Sequence, residues 1–421
     1  MQEDAVRAID QVNEKELINL CQELIRIPSH KDIREREKKI ASFIVDLLKK
    51  EGIEVALQEV VEGRSNVIAK IKGTDGLPTL LFNAHMDTVR PYGMKDPYGA
   101  RIKDGKIWGR GAADMKAGLA GMIYTLITLK RAGIKLKGDL ILSGVIGEEN
   151  INEGTQHLVE KNLKCDMAIV GEPTNLKIVI AHKGIEWLEI TVKGKAAHAG
   201  IPEKGVNAIV NAARLICALE KKLIPELSSQ SLRSHSLVGF PTFNIGKIQG
   251  GIRNSVVPDI CKIQLDLRTI PGEKIEDILG EIQKIIEELK ESYEGFKAEV
   301  TSIPVGPDTE EELKEIKKQG IKVPPHEPME IPEDTEIVNV LRKALQLVRR
   351  KNPEIAGMLA WTEASLLVNI AKIPTAVFGP GSLAQAHTTE EYVKIRDLIE
   401  ATKVYLLTAV QICGKDRTYK F

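Results

Sequence analysis

Aromatic residues make up only 4% of this chain, and cysteine occurs five times in 421 residues. Cys21, Cys165, Cys217, Cys261 and Cys413 are odd in number, scattered and without metal-type spacing. That excludes a disulfide framework and a thiolate metal site, and leaves reduced thiols of a cytoplasmic protein as the expectation. Net charge is absent too, with 59 basic residues against 59 acidic ones. The balance removes any composition-level case for a nucleic-acid partner or an anionic membrane surface. No apolar run is long enough to span a bilayer. The first residues, MQEDAVRAIDQVNEKELINL, lack a cationic start followed by an apolar block, so no secretory signal is expected. No internal repeat or low-complexity tract is present.

What the chain does have is enough apolar content, 43%, for a packed interior, and a length that suggests two domains. Four apolar runs stand out: TLLFNAHMDTV (79–89), DLILSGVIGEEN (139–150), DMAIVGEPT (166–174) and IPTAVFGPGSLAQAHTTEEY (373–392). Each reads as a buried strand, a continuous Leu/Ile/Val/Phe stretch bounded by Gly, Pro or Asn. In an open α/β sheet, functional groups gather just past the carboxyl ends of parallel strands. Those ends would deliver His85, Asp87, Glu148, Glu149, Glu172 and His387 to one rim. The segment WGRGAADMKAGLAGM (108–122) adds Asp114 at the mouth of a helix. Imidazoles and carboxylates without a thiolate are a ligand set for divalent metals, and point to a hydrolase.

Segment order suggests how the domains are arranged. A helix around 34–50, strands near 66–72 and 79–85, a helix near 115–132 and strands at 139–146 and 166–171 alternate as in a wound α/β layer. From about 183 to 303 the order becomes βαββαβ, that of a small ferredoxin-like unit. Its last helix, EKIEDILGEIQKIIEELKES, spaces apolar residues to cover one face. Residues 304–333 read as a polar, Pro-rich return linker with a short helix, and 334–421 resume the α/β style. The expected division is 1–182 and 334–421 for one domain, interrupted by 183–303.

Each candidate also has a plain alternative. Asp114 could cap the following helix. Glu148 and Glu149 could be solvated charges, Glu172 an ordinary turn residue, and His387 a loop hydrogen-bonder. His85 and Asp87, two apart at a strand end, point the same way. The coincidence of all of them at strand and helix ends favours a shared site.

The motifs HMDTV (85–89), GRGAADMKAG (109–118), GEE (147–149), GEPT (171–174) and AHTTEEY (386–392) resemble the acetylornithine deacetylase, succinyl-diaminopimelate desuccinylase and carboxypeptidase G family. The likeness runs from about Leu24 to near the C-terminus, with the motifs in family order. It implies a mixed-sheet α/β catalytic domain of the di-zinc aminopeptidase type, with an inserted ferredoxin-like lid and dimerisation domain. It also implies two divalent ions per chain, zinc first and cobalt or manganese as alternatives. Asp114 would bridge them, His85 and Glu172 would complete one, and Glu149 and His387 the other. Asp87 would orient His85, and Glu148 would be the general base. His198, in GKAAHAGIPEKG, would steady the oxyanion from across a homodimer. Arg268, in QLDLR, would bind a substrate carboxylate.

The chain departs from the family at GGIRNSVVPD, where Ser255 stands at the usual asparagine position and Asn254 lies one residue earlier. Either could serve. Thr362-Glu363 replaces the usual Ser/Thr-Asp. Backbone N–H groups of Gly379 and Gly381 could also hold a substrate carboxylate. The chemistry is coherent without the resemblance: two divalent ions sharing a water lower its pKa and stabilise a tetrahedral oxyanion, and a neighbouring carboxylate moves the proton. The expected activity is deacylation of an N-acyl amino acid. A carboxypeptidase or dipeptidase on a short peptide, and a non-catalytic metal-dependent binder, are the alternatives.

Overall fold

The structure, a computed structural model, describes residues 7–227, 233–307 and 309–414. In chain order, the first segment contains α1 (Glu14–Arg26), α2 (Lys38–Lys50), β1 (Glu54–Val61), β2 (Arg64–Ile71) and β3 (Gly76–His85). Then come β4 (Arg101–Lys103), β5 (Lys106–Trp108), α3 (Lys116–Arg131), β6 (Gly138–Val145), α4 (Glu153–Glu160), β7 (Met167–Val170) and β8 (Ile178–His182). The middle segment runs β9 (Glu186–Lys193), α5 (Ala208–Leu227), β10 (Thr242–Gly250), β11 (Ile260–Arg268), α6 (Ile275–Ser292) and β12 (Lys297–Ile303). After it come α7 (Glu310–Lys318), β13 (Met329–Glu330), α8 (Glu336–Arg349), β14 (Ile355–Met358), β15 (Thr375–Val377), β16 (Tyr392–Lys394) and α9 (Ile395–Cys413).

The central sheet is mixed, in the order β1-β2-β6-β3-β7-β15-β8-β13, with β14 also on β8. Its middle, β6-β3-β7-β15, is parallel, and antiparallel pairs flank it through β2 and β8. The sequence explains that middle. Thr79–His85 of β3 and all of β7 are buried, so neither face needs polar residues and the runs read as continuously apolar. Parallel strands also share one direction, so His85, the turn after Val145, Glu172 and the Gly379 turn emerge at one rim. Helix α3 is buried from Lys116 to Leu129 and lies against the sheet, packed with α9.

The middle segment folds as an antiparallel sheet in the order β10-β11-β9-β12, with α5 and α6 covering one face. This is the ferredoxin-like arrangement expected from the βαββαβ order. Burial alternates along β11, and its inward residues join Leu215, Leu219, Ile282, Ile286 and Phe296 in a second apolar core. A third, small sheet pairs β16 with β5 and β5 with β4. Trp108 and Tyr392 meet there with ring centroids 4.8 Å apart. No helix among the described residues is long and apolar enough to cross a membrane.

The sequence reading passed over β1, β4, β5, β8, β13, β14 and β16. β1 lies at a sheet edge with no buried residue, and the shortest of the others spans 2 residues, so none carries a clear periodic signal. Because the second core is separate from the first, Leu219→Ala should destabilise the middle segment by about 2–5 kcal/mol, the cost of truncating a buried leucine. A lower denaturation midpoint for that segment, with unchanged metal per chain, is the expected result.

Candidate metal centre

His85 closes β3 with its ring fully buried. Its Nδ1 lies 3.1 Å from the Asp87 carbonyl oxygen, and its Nε2 lies 3.1 Å from Asp114 Oδ1 and 3.6 Å from Glu172 Oε1. If Nδ1 donates to that carbonyl, Nε2 is left as the lone-pair nitrogen facing the two carboxylates. On the other side, His387 Nε2 lies 3.3 Å from Asp114 Oδ2 and 3.1 Å from Glu149 Oε2. Asp114 therefore turns one oxygen to each imidazole. Three groupings could hold a cation: His85–Asp114–Glu172, Asp114–Glu149–His387 and His85–Glu148–Glu149. His387 is the open side, with 52% of its side chain exposed, and it sits at φ +61°, the left-handed region that non-glycine residues rarely occupy.

Asp87 grips the turn after β6. Its two carboxylate oxygens accept the backbone N–H groups of Glu148 at 3.2 Å and Glu149 at 3.0 Å. The grip fixes both glutamates, whose side chains then diverge, Glu149 towards His387 and Glu148 towards His85. A second grip holds Asp114. The buried Glu391 carboxylate accepts N–H groups from Gly111 at 3.0 Å, Ala113 at 2.8 Å and Asp114 at 3.0 Å, and the Arg110 guanidinium at 2.6 Å. Asp114 does not cap α3, because Met115 occupies the cap position.

A polar layer lies below His85. Asn83 Nδ2 donates to Glu363 Oε2 and to Thr155 Oγ1, both at 3.1 Å, and Asn83 Oδ1 accepts from Ser143 Oγ at 2.6 Å. Burial pushes the Glu363 carboxyl up to about 8. Sequence reasoning missed Glu391, Arg110 and Asn83 as supports. Arg110 and Glu391 stand inside the quoted motifs and Asn83 two residues before one, and that adjacency was the only available signal.

The electrostatics show a site short of positive charge. Burial, with Glu172, Glu149 and Glu363 nearby, pushes the Glu148 carboxyl well above the carboxylate range. Burial also raises Glu172 and Glu149, in both cases with Asp114 as the next contributor. Burial would lower His85, but Glu172, Asp114, Asp87 and Glu148 hold it well above its ordinary value. Hydrogen bonds to Asp114 and Glu149 push His387 up to about 11. Crowded carboxylates facing two imidazoles fit divalent cations, which would take over the role these protons play.

The other candidates lie elsewhere. Exposed His198 pairs with Val256, and its Nδ1 accepts the Gly200 N–H at 3.0 Å. The Asn254–Ser255 turn lies beside it, with Ala199 N–H donating to the Ser255 carbonyl at 3.0 Å. Arg268 is engaged by Asp266 through two bonds, Nε to Oδ1 at 2.6 Å and a second at 3.0 Å. Gly379 requires a correction: its N–H is donated to Thr174 Oγ1 at 3.1 Å, so it is not offered to a substrate. Its lack of a side chain serves packing instead, because a Cβ there would fall 2.3 Å from the Gly171 oxygen and 2.6 Å from that of Glu172. Gly381 accepts the Asn175 N–H on its carbonyl at 2.6 Å.

Comparison with known proteins bears on this geometry. The profile of peptidase family M20/M25/M40 matches residues 81–411. The chain is 28% identical over 421 residues to the N-formyl-4-amino-5-aminomethyl-2-methylpyrimidine deformylase of Halalkalibacterium halodurans, covering 95% of each. It is 29% identical over 391 residues to the acetylornithine deacetylase of Photorhabdus laumondii, covering 89% of this chain and 92% of that one. Its fold is similar to that of the Bacillus subtilis YXEP protein, a dinuclear metal-binding peptidase, with a TM-score of 0.68 at 19% identity. That likeness covers 95% of this chain and 98% of the other.

The Glu391 grip generates a test. Glutamine offers one acceptor oxygen where the carboxylate uses two, so Glu391→Gln loosens the 110–114 turn and should lower bound metal per chain in a titration. Metal content and affinity equal to wild type would show that Asp114 needs no such support.

Proposed function

Since this chain belongs to peptidase family M20/M25/M40, we propose that it deacylates an N-acyl amino acid. It is a hydrolytic enzyme acting on amide or peptide bonds. The observation that carries the reading is Asp114, whose two oxygens face two separate imidazoles. The names of the two sequence relatives, a deformylase and a deacetylase, favour release of an acyl group over peptide cleavage.

In this reading His85, Asp114 and Glu172 would hold one ion, and Asp114, Glu149 and His387 the second. Bound there, a pair of divalent ions, zinc in our assignment, would supply Lewis acidity to the amide carbonyl and lower the pKa of water. The Glu148 carboxylate takes a proton from the attacking water and returns it to the departing nitrogen. Water oxygen becomes part of the released acid as the C–N bond breaks. Asp87 keeps Glu148 in place through its amide. Because His198 Nδ1 accepts a hydrogen bond, Nε2 is the ring nitrogen left to donate to an oxyanion. Arg268 would exchange Asp266 for a substrate carboxylate, and Asn254 or Ser255, beside His198, would reach the scissile group.

His198 stands in the middle segment, so we place the chain in a homodimer formed through that segment. β10 is an edge strand, and Ile209, Val210, Ile248 and Ile252 on α5, β10 and the following turn are exposed, Ile252 to 88%. An open edge beside apolar side chains suits a two-fold partner. The cytoplasm is the compartment that keeps its five free thiols reduced.

A panel of N-acetyl, N-succinyl and N-formyl amino acids beside dipeptides, run with Zn²⁺, Co²⁺ and Mn²⁺, tests the reading. Turnover of the acylated amino acids is expected; turnover of dipeptides alone would replace deacylase with peptidase. Glu148→Gln should keep its metal and lose roughly a hundred- to ten-thousandfold in turnover, the usual worth of a general base, whereas Glu149→Gln should lose metal. The opposite pattern would reverse the two roles. Mixing Glu148→Gln with His198→Ala under subunit exchange should restore activity, since one site of the mixed dimer then carries neither defect. Proven exchange without recovery would confine His198 to its own chain.

A further inference from the structure

Beside the metal centre lies a small cavity of about 70 Å³, lined by Asp87, Thr88, Glu149, Asn150 and Arg36 among others. It adjoins a surface groove of about 1750 Å³, and Arg36 lines both. The acids at the cavity already have partners. Glu37 pairs with Arg64, Asp87 accepts the Glu148 and Glu149 amides, and Glu149 faces His387. Among the other cations, Arg64 is held by Glu37 and Glu153, Arg90 by Asp32 and Lys31 by Glu312.

Arg36 is the exception. Among the described residues no carboxylate pairs with its guanidinium, although it is partly buried. Its backbone sits at φ +41°, a conformation that costs energy for a side chain of this size. A further polar group lining the cavity lacks a partner, the hydroxyl of Thr88, which is 2% exposed. Buried polar atoms left without hydrogen bonds are uncommon, and each calls for a ligand or water to satisfy it.

We propose that this cavity is a carboxylate subsite of the substrate cleft, with Arg36 as the residue that reads the charge. A guanidinium presents its N–H groups in a planar fork that matches the two oxygens of a carboxylate. The Thr88 hydroxyl adds a donor. Because Glu149 lines this cavity as well, it lies beside the candidate metal centre. The volume accommodates such a group and excludes a bulky one. The carboxylate belongs either to the acyl group or to the amino acid, and the chemistry of recognition is the same for both. Only the kinetic test below rests on the deacylase reading.

Two matched substrate pairs separate the sources. An N-succinyl and an N-acetyl derivative of one amine differ by a carboxylate on the acyl side. An N-acetyl amino acid and its amide differ by one on the amine side. For the pair that reports the subsite, Arg36→Gln should reduce the KM advantage of the acidic member about ten- to a hundredfold, the worth of a charge-assisted hydrogen-bond pair. Thr88→Val should reduce it in the same direction by less. An unchanged KM advantage in both pairs, as expected if water alone fills the cavity, overturns the proposal. If the wild type deacylates neither pair, succinate binding to the metal-loaded enzyme by calorimetry decides. A roughly tenfold or greater loss of affinity in Arg36→Gln, with circular dichroism unchanged, supports the subsite, and equal affinities overturn it.

Discussion

Four carboxylates, Asp114, Glu148, Glu149 and Glu172, meet two imidazoles where the ends of β3, β6 and β7, the start of α3 and the segment after β15 come together. Burial alone makes each carboxylate costly to ionise, and proximity to the others adds to that cost. A fold that gathers them must therefore offer something in return. Divalent cations held by this group would satisfy the constraint, since they neutralise the acids and need oxygen and nitrogen donors of this kind. The rest of the structure is arranged around keeping those donors in place.

The parallel middle of the sheet aims the candidate ligands, and two further buried carboxylates, Asp87 and Glu391, hold the turns that carry them. Asp87 fixes the Glu148–Glu149 turn by two amides, and Glu391 fixes the Asp114 turn by three amides and Arg110. The Glu391 contact joins residues far apart in sequence, and the small sheet of β16, β5 and β4 keeps the two segments together. Side-chain exposure then divides the site: His85 is sealed in, whereas His387 stands open to solvent.

Much of this was legible in the sequence because fully buried parallel strands are continuous apolar runs, and their ends mark the rim. Five of the ligand and base candidates are read that way, and Asp114 from the mouth of the following helix; the structure brings His85, Asp114, Glu148, Glu149, Glu172 and His387 together. What could not be read depends on contacts across the chain. Nothing local shows that Thr174 Oγ1 takes the Gly379 N–H, or that Glu391 holds Asp114. The Asp87 grip, which holds the Glu148 and Glu149 amides alike, is a contact that spacing does not reveal. Arg268 is different: Asp266 lies two residues earlier on the same strand face, so its pairing was available from strand periodicity alone.

The shared carboxylate is tested most directly by counting metal in wild type and Asp114→Asn. Asparagine presents one oxygen and one donor nitrogen, so it can serve one ion but not bridge two. Wild type should hold about two divalent ions per chain, the number a bridged two-metal site requires, and Asp114→Asn fewer. Two ions bound by Asp114→Asn with wild-type affinity would contradict the bridging role of Asp114.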